Sequence, residues 1–303
     1  MAYYSGTASS LADLRTALLT HAVADGWVLT GDVLSKAGVY FQIQVTATNI
    51  TCLGCESNAV ANPAPAVTMM GRIFFRSGYT TREMSFPCTY EVFGFAQELY
   101  LVANYDVDTY QWMAFGKSTV PGLPGQGGWF GSMVGAAVPG NLYTVFPISI
   151  SSTTGAQDSF PDPTSAALFW STYAESVSER NCWVNHGLDA HGWTYNGSSS
   201  STPIGIRHIA SLIRMQPSSW NSESTLLPLR CLKERPSFKS SMVVDLENAR
   251  LIRVDNFAPG DILTLGSDNW KVFPWYRKDI TARDGGSSIN HTGTFGWAIR
   301  YEP

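Results

Sequence analysis

The chain has 303 residues, of which 15% are charged and 13% aromatic, and its formal net charge is −4. Its 20 Lys and Arg are scattered rather than clustered, which argues against a phosphate-binding surface, and no apolar run approaches the ~18 residues that cross a bilayer. Average soluble domains carry about 25% charge, so a chain this poor in charge and rich in rings needs a large core or shares surface with partners, and shared surface is the expectation here.

The opening MAYYSGTASSLADLR shows no basic segment followed by an apolar one, so no secretory signal is read and folding in a cytoplasm is expected. Within SSLADLRTALLTHAVADG, Leu11, Leu14, Leu18 and Ala22 recur at helical spacing. Ser10 followed by Asp13 fits a capping pattern, and Gly26 stands where a helix is closed. An amphipathic helix is predicted.

Beyond Gly26 the period falls to two. In GVYFQIQV, Val39, Phe41, Ile43 and Val45 share one side, and Tyr40, Gln42 and Gln44 the other. NITCLGC is read as its hairpin partner. Further strands are predicted at GRIFF, TYEVFGF, ELYLVAN, YQWMAFG and LYTVFPISI. YDVDT, between two of them, is a tight turn whose aspartates can bond their own backbone. PGLPGQGGWFG and SFPDPTS have loop chemistry, and YNGSSSSTPIG is a polar tract. AALFWSTYAESV and RNCWVNHGLDAHGW fit strand or helix equally.

After Pro203, SMVVDLE and RLIRVDN look like two strands paired across a short turn. In PGDILTLGSDNWKVFPWYRK, Leu263 and Leu265 face one way and Ile262 and Thr264 the other. Gly266 to Asn269 would make the turn, and Trp270, Val272 and Pro274 alternate with Lys271, Phe273 and Trp275. Pro274 cannot donate to a ladder, so its strand is an edge or ends there. TFGWAIRY supplies a last strand. The expected fold is mainly β, antiparallel, sandwich- or barrel-like, with one N-terminal amphipathic helix. Residues 1–150 form a helix and β domain, 151–203 an irregular insertion or linker, and 204–303 a C-terminal β meander.

Catalytic patterns are weak. Cys52 and Cys55 form a C-x-x-C, with His186 and His191 as conceivable further ligands, but those lie over a hundred residues away. Zinc sites use closely spaced pairs, so buried, reduced thiols are the plainer reading of all five cysteines (Cys52, Cys55, Cys88, Cys182, Cys231). Asp106 and Asp108 could be imagined as metal ligands or half of a carboxylate pair, yet turn aspartates need no ligand. The loop Gly125 to Gly131 lacks phosphate-cradling spacing and reads as surface, its Trp129 and Phe130 inserting into a neighbour. No G-x-S-x-G elbow is present, and the histidines (His21, His186, His191, His208, His291) have no evident nucleophile beside them. The sequons at Asn49, Asn196 and Asn290 carry no meaning without secretion. The tryptophans (Trp112, Trp129, Trp170, Trp183, Trp193, Trp220, Trp270, Trp275, Trp297 among them) could stack on sugar rings, but several alternate with apolar neighbours as core or interface residues do.

DNFAPGDILTLGSDNWKVFPWYRK with HTGTFGWAIRYEP, ELYLVANYDVDTYQWMAFGKST, and LADLRTALLTHAVADGW together resemble structural proteins of tailed bacteriophage virions, over about a third of the chain. The resemblance implies a β-rich, non-catalytic subunit without cofactor or metal. It would be assembled in the host cytoplasm into a symmetric ring of its own copies and joined to other virion proteins. The tail tip or baseplate is the preferred position, with a neck, collar or capsid-decorating place as the alternative. A tail protein that binds a host-surface glycan or receptor is the second functional class, and a polysaccharide-degrading enzyme a distant third. Neither nucleic acid binding nor membrane insertion is expected. Interface residues expected on this reading are Trp129, Phe130, Trp270, Phe273, Trp275 and Trp297.

Overall fold

The computed structural model describes residues 1–59, 67–75, 80–136, 167–169, 181–196, 204–206, 225–254, 256–278 and 295–303. LYTVFPISI, SFPDPTS, Trp170, Trp220, His208, His291 and Asn290 lie outside the described residues.

The helix forms at Leu11–Ala24, where its caps place it. Ser10 Oγ accepts the Asp13 N–H at 3.1 Å, and the Asp13 carboxylate reaches back to the Ser9 N–H at 2.8 Å. At the other end Gly26 takes φ +85°, a left-handed geometry suited to glycine. Its N–H donates to Val23 O at 3.0 Å, and that of Trp27 to Ala22 O at 3.0 Å. These two bonds satisfy carbonyls that the helix itself leaves open. Leu14, Leu18, Leu19 and Ala22 are buried, and Trp27 lies directly against Phe115 and Phe41.

Three antiparallel sheets make up most of the rest. The first has seven strands, in the order Ala2–Ala8, Cys88–Gly94, Glu98–Asp106, Thr109–Lys117, Gly128–Ser132, Cys182–Asn185 and Trp193–Tyr195. The second runs Val134–Ala136, Val67–Gly71, Asn49–Cys55, Val39–Val45, Val33–Lys36, Val28–Thr30. The third runs Ile204–Gly205, Leu227–Arg235, Lys239–Arg253, Phe295–Tyr301, Asp268–Pro274, Ile262–Leu265. Ile73–Phe75 and Thr80–Arg82 make a separate two-stranded ribbon.

The seven-stranded sheet is the middle layer. Its Phe115 meets Phe41 of the second sheet at 5.2 Å, while Trp112, three residues earlier on the same strand and therefore on the opposite face, meets Trp297 of the third at 5.4 Å. With both faces covered, Glu98–Asp106 and Thr109–Lys117 are buried along almost their whole length. One apolar core runs through all three sheets. The sheets stack as in a sandwich; none closes into a barrel.

Several local expectations hold. Val39–Val45 pairs with Asn49–Cys55, placing Ile43 opposite Cys52. The alternation there marks the two faces but not their burial: Gln42 is buried and Val45 is exposed. YDVDT closes a hairpin in which Asp106 faces Thr109. Others are corrected. Gly128–Ser132, expected on a surface loop, is a buried strand paired with both Thr109–Lys117 and Cys182–Asn185. Cys182–Asn185 and Trp193–Tyr195, inside the segment expected to be irregular, extend the first sheet.

SMVVDLE and RLIRVDN are not two strands but parts of one, Lys239–Arg253. No turn forms because the N–H groups of Glu247 and Asn248 bond to the Glu98 carboxylate, at 3.1 and 3.2 Å. The irregularity appears instead as a register shift between Pro228 and Arg230 of the neighbouring strand. In the C-terminal hairpin the turn is Gly266–Ser267 alone, since Asp268 pairs with Leu265 and Asn269 with Thr264. Gly266 at φ +63° allows the chain to reverse in two residues, and Arg300 holds the Asp268 carboxylate at 2.9 Å. Pro274 ends its strand, which lies between two others and is no edge.

Candidate functional site

All six aromatic residues expected at an interface lie inside the chain, none more than 5% exposed. Trp275 stacks on Trp297 with centroids 4.9 Å apart and planes 25° apart, and Trp112 closes the group at 5.8 and 5.4 Å. Phe273 packs edge-on to Phe93 and Tyr110. Trp129 meets Tyr100 and Phe169 on one face of its strand, and Phe130 meets Phe41 and Trp193 on the other. Trp270 carries the Arg250 guanidinium over its ring at 5.0 Å. Ring pairs of this kind add to the large area that each residue buries. Phe130, Phe273, Trp275 and Trp297 join the sheets of one chain, and burial keeps all six from a partner's reach.

The conceivable catalytic groups are not brought together. Asp106 Oδ1 accepts the Val107 N–H at 2.8 Å and Asp108 takes φ +49°, so both serve the turn. Cys52 and Cys55, three apart on one strand, point to opposite faces. No group of three His, Cys, Asp or Glu able to hold a metal occurs among the described residues. All five cysteines are free and buried. Burial pushes every thiol up, that of Cys88 to about 11, which suppresses the reactive thiolate. His21 stacks on Tyr4 at 4.3 Å. Among the described tryptophans only Trp193 is even half-buried, which leaves no exposed platform for a sugar among them.

Three polar arrangements were not legible in the sequence. Glu98, 2% exposed, accepts from Tyr100 Oη at 2.9 Å, from the backbone N–H of Glu247 and Asn248, and from Asn248 Nδ2 at 2.8 Å. It ties the middle sheet to the C-terminal one. Lys271 pairs with Glu91, which also accepts from Tyr3 Oη at 2.8 Å, and its ammonium lies within 6 Å of the rings of Tyr3, Phe273 and Tyr301. Residue spacing holds no sign of either, because the partners lie 150 and 180 positions apart. The third is His186, fully buried against a turn beside Lys233.

What the chain does offer a partner is sheet edge. Val28–Thr30 ends the second sheet and Ile262–Leu265 ends the third. Val28 is 60% exposed, Ile262 52% and Leu265 57%, and neither strand contains a charged residue. Folded proteins commonly guard such edges with lysine, proline or a bulge; these two carry none of the three within their strands. No family model matches the chain, and no curated protein matches it.

Proposed function

We propose that the chain is a structural subunit of a tailed-phage particle, forming a ring at the tail tip or baseplate through contacts between its own copies. The observation that carries this reading is the pair of uncharged, apolar edge strands, Val28–Thr30 and Ile262–Leu265, each with exposed aliphatic side chains and with no further strand paired on its outer side among the described residues. An edge of this kind is completed by a strand from elsewhere, and a ring needs two different surfaces that meet head to tail. The likeness of LADLRTALLTHAVADGW, ELYLVANYDVDTYQWMAFGKST and the C-terminal run to virion proteins supports the same class, as does the low charge.

The test is immunogold electron microscopy on purified phage particles from the same source, with antibody raised against the recombinant chain. Gold at the distal end of the tail is the expected result. Label at the neck or over the capsid would keep the structural class and discard the placement. Absence of label, on particles whose other proteins do label, would overturn the reading. In parallel, Val28→Lys and Ile262→Lys are expected to abolish self-association in sedimentation while leaving the melting temperature within a few degrees, because the two side chains are already 60% and 52% exposed.

A further inference from the structure

We propose that His186 is a proton-sensitive latch that holds the Gly187–Ala190 turn closed at neutral pH and releases it in mild acid. The imidazole is fully buried. Its Nδ1 accepts the Leu188 N–H at 2.9 Å, which fixes the tautomer: the proton sits on Nε2, and that atom has no hydrogen-bond partner among the described residues. A second proton can be added only at Nδ1, where it removes the acceptor that Leu188 uses and turns two donors toward each other.

The turn is held against its own preference. Gly187, Asp189 and Ala190 take φ of +70°, +55° and +59°, and the last two are side-chain-bearing residues in a region they disfavour. Two contacts impose this conformation besides the Leu188 bond. Asp189 is clamped by Arg235, whose Nη2 donates to Oδ1 at 2.7 Å. The Gly125 N–H donates to His186 O at 3.1 Å, an approach so close that a Cβ on Gly187 would stand 2.2 Å from Gly125 N. From the other side, a Cβ on Gly125 would stand 2.7 Å from Gly187 N, so the same contact accounts for the glycine at 125.

Four charged or titratable groups face His186: Lys233 and Arg235 from the strand Leu227–Arg235, and His191 and Asp189 from its own segment. The loop Pro121–Gly127 contributes none. Lys233 is itself only 1% exposed, its ammonium donating to Glu234 O at 2.7 Å. A proton on His186 therefore adds positive charge beside a buried cation. Burial and then Lys233 lower the imidazole from its ordinary 6.5 to about 4. The sign follows. The closed turn binds this proton more weakly than the open one, so closure is favoured above pH 6.5 and is lost progressively as pH falls toward 4.

Hydrogen exchange of the Leu188 amide reads the latch directly. After correction for intrinsic exchange, its protection factor is expected to fall about 20-fold between pH 7 and pH 5, from the two proton affinities. In His186→Asn, whose side-chain carbonyl can still accept from Leu188 but takes no proton, protection is expected to stay level. Unchanged protection in the wild-type chain, or an equal fall in the variant, would overturn the proposal. Should the variant fail to fold, the His186 ring is followed by NMR in the wild type. A midpoint well below 6, moving together with Leu188 protection, supports the latch, and a midpoint near 6.5 with protection intact refutes it.

Discussion

Glu98 and Asn248, 150 residues apart, are joined twice: the Glu98 carboxylate accepts the backbone N–H of Asn248 at 3.2 Å and its side-chain amide at 2.8 Å. A buried carboxylate costs several kcal/mol in desolvation unless it is well partnered, and here Tyr100 and the Glu247 N–H bring the donors to four. Replacing Glu98 by Ala strands those donors in the core. A loss of about 3 kcal/mol is expected from one removed partner of a buried network, measured by urea denaturation.

The same residue predicts a pH dependence. Burial, outweighing the hydrogen bonds, raises the Glu98 carboxyl above its ordinary 4.5. The folded chain then holds this proton more tightly than the unfolded chain does. Its contribution is fully present below 4.5 and is lost as pH rises through the folded value. The stability of the wild type minus that of Glu98→Gln should therefore decline from pH 4 to pH 8. A flat or rising difference would show that the donors win.

Trp275 is predicted to be a folding residue. It is fully buried, stacked on Trp297 and packed against Trp112, so Trp275→Ala should cost about 3–5 kcal/mol, as large-to-small changes in cores do. Trp275→Phe should cost distinctly less. Urea midpoints of the two variants give the comparison, and a near-neutral alanine variant would contradict the three-tryptophan junction.

Lys271 and Glu91 link the C-terminal sheet to the middle one, both being partly shielded, with side-chain exposures of 15% and 22%. Burial alone would lower the Lys271 ammonium, but the Glu91 hydrogen bond and charge, helped by Tyr3, hold it above its ordinary value. A double-mutant cycle with Lys271→Met and Glu91→Gln should return a coupling of about 1–2 kcal/mol, more than an exposed pair gives. Coupling below a few tenths would mean that solvent screens the pair.

The thiols should be silent in the native chain. All five are buried with raised proton affinity, so a disulfide exchange reagent should label none on the timescale of minutes at pH 8 and five in urea. Fast native labelling of Cys52 or Cys55 would revive a redox or metal role for that pair.

The sequence by itself determined the parts of this protein that depend on near neighbours. The helix Leu11–Ala24 was legible because its caps, Ser10 and Gly26, act within one turn. The hairpins at Val39–Cys55 and Glu98–Lys117 were legible because period-two patterning and turn aspartates are local signals. Only the tertiary structure decided what faces what. Trp129 and Phe130 sit among glycines that suggested a loop, yet pairing on both sides of Gly128–Ser132 makes that stretch a core strand. The long strand Lys239–Arg253 stays unbroken because a carboxylate from another sheet takes the N–H groups of Glu247 and Asn248. His186 becomes a candidate switch only because Lys233 and a loop 60 residues earlier close over it. Aromatic and polar side chains acquire their roles from burial, and burial is set by contacts between sheets, which no local pattern encodes.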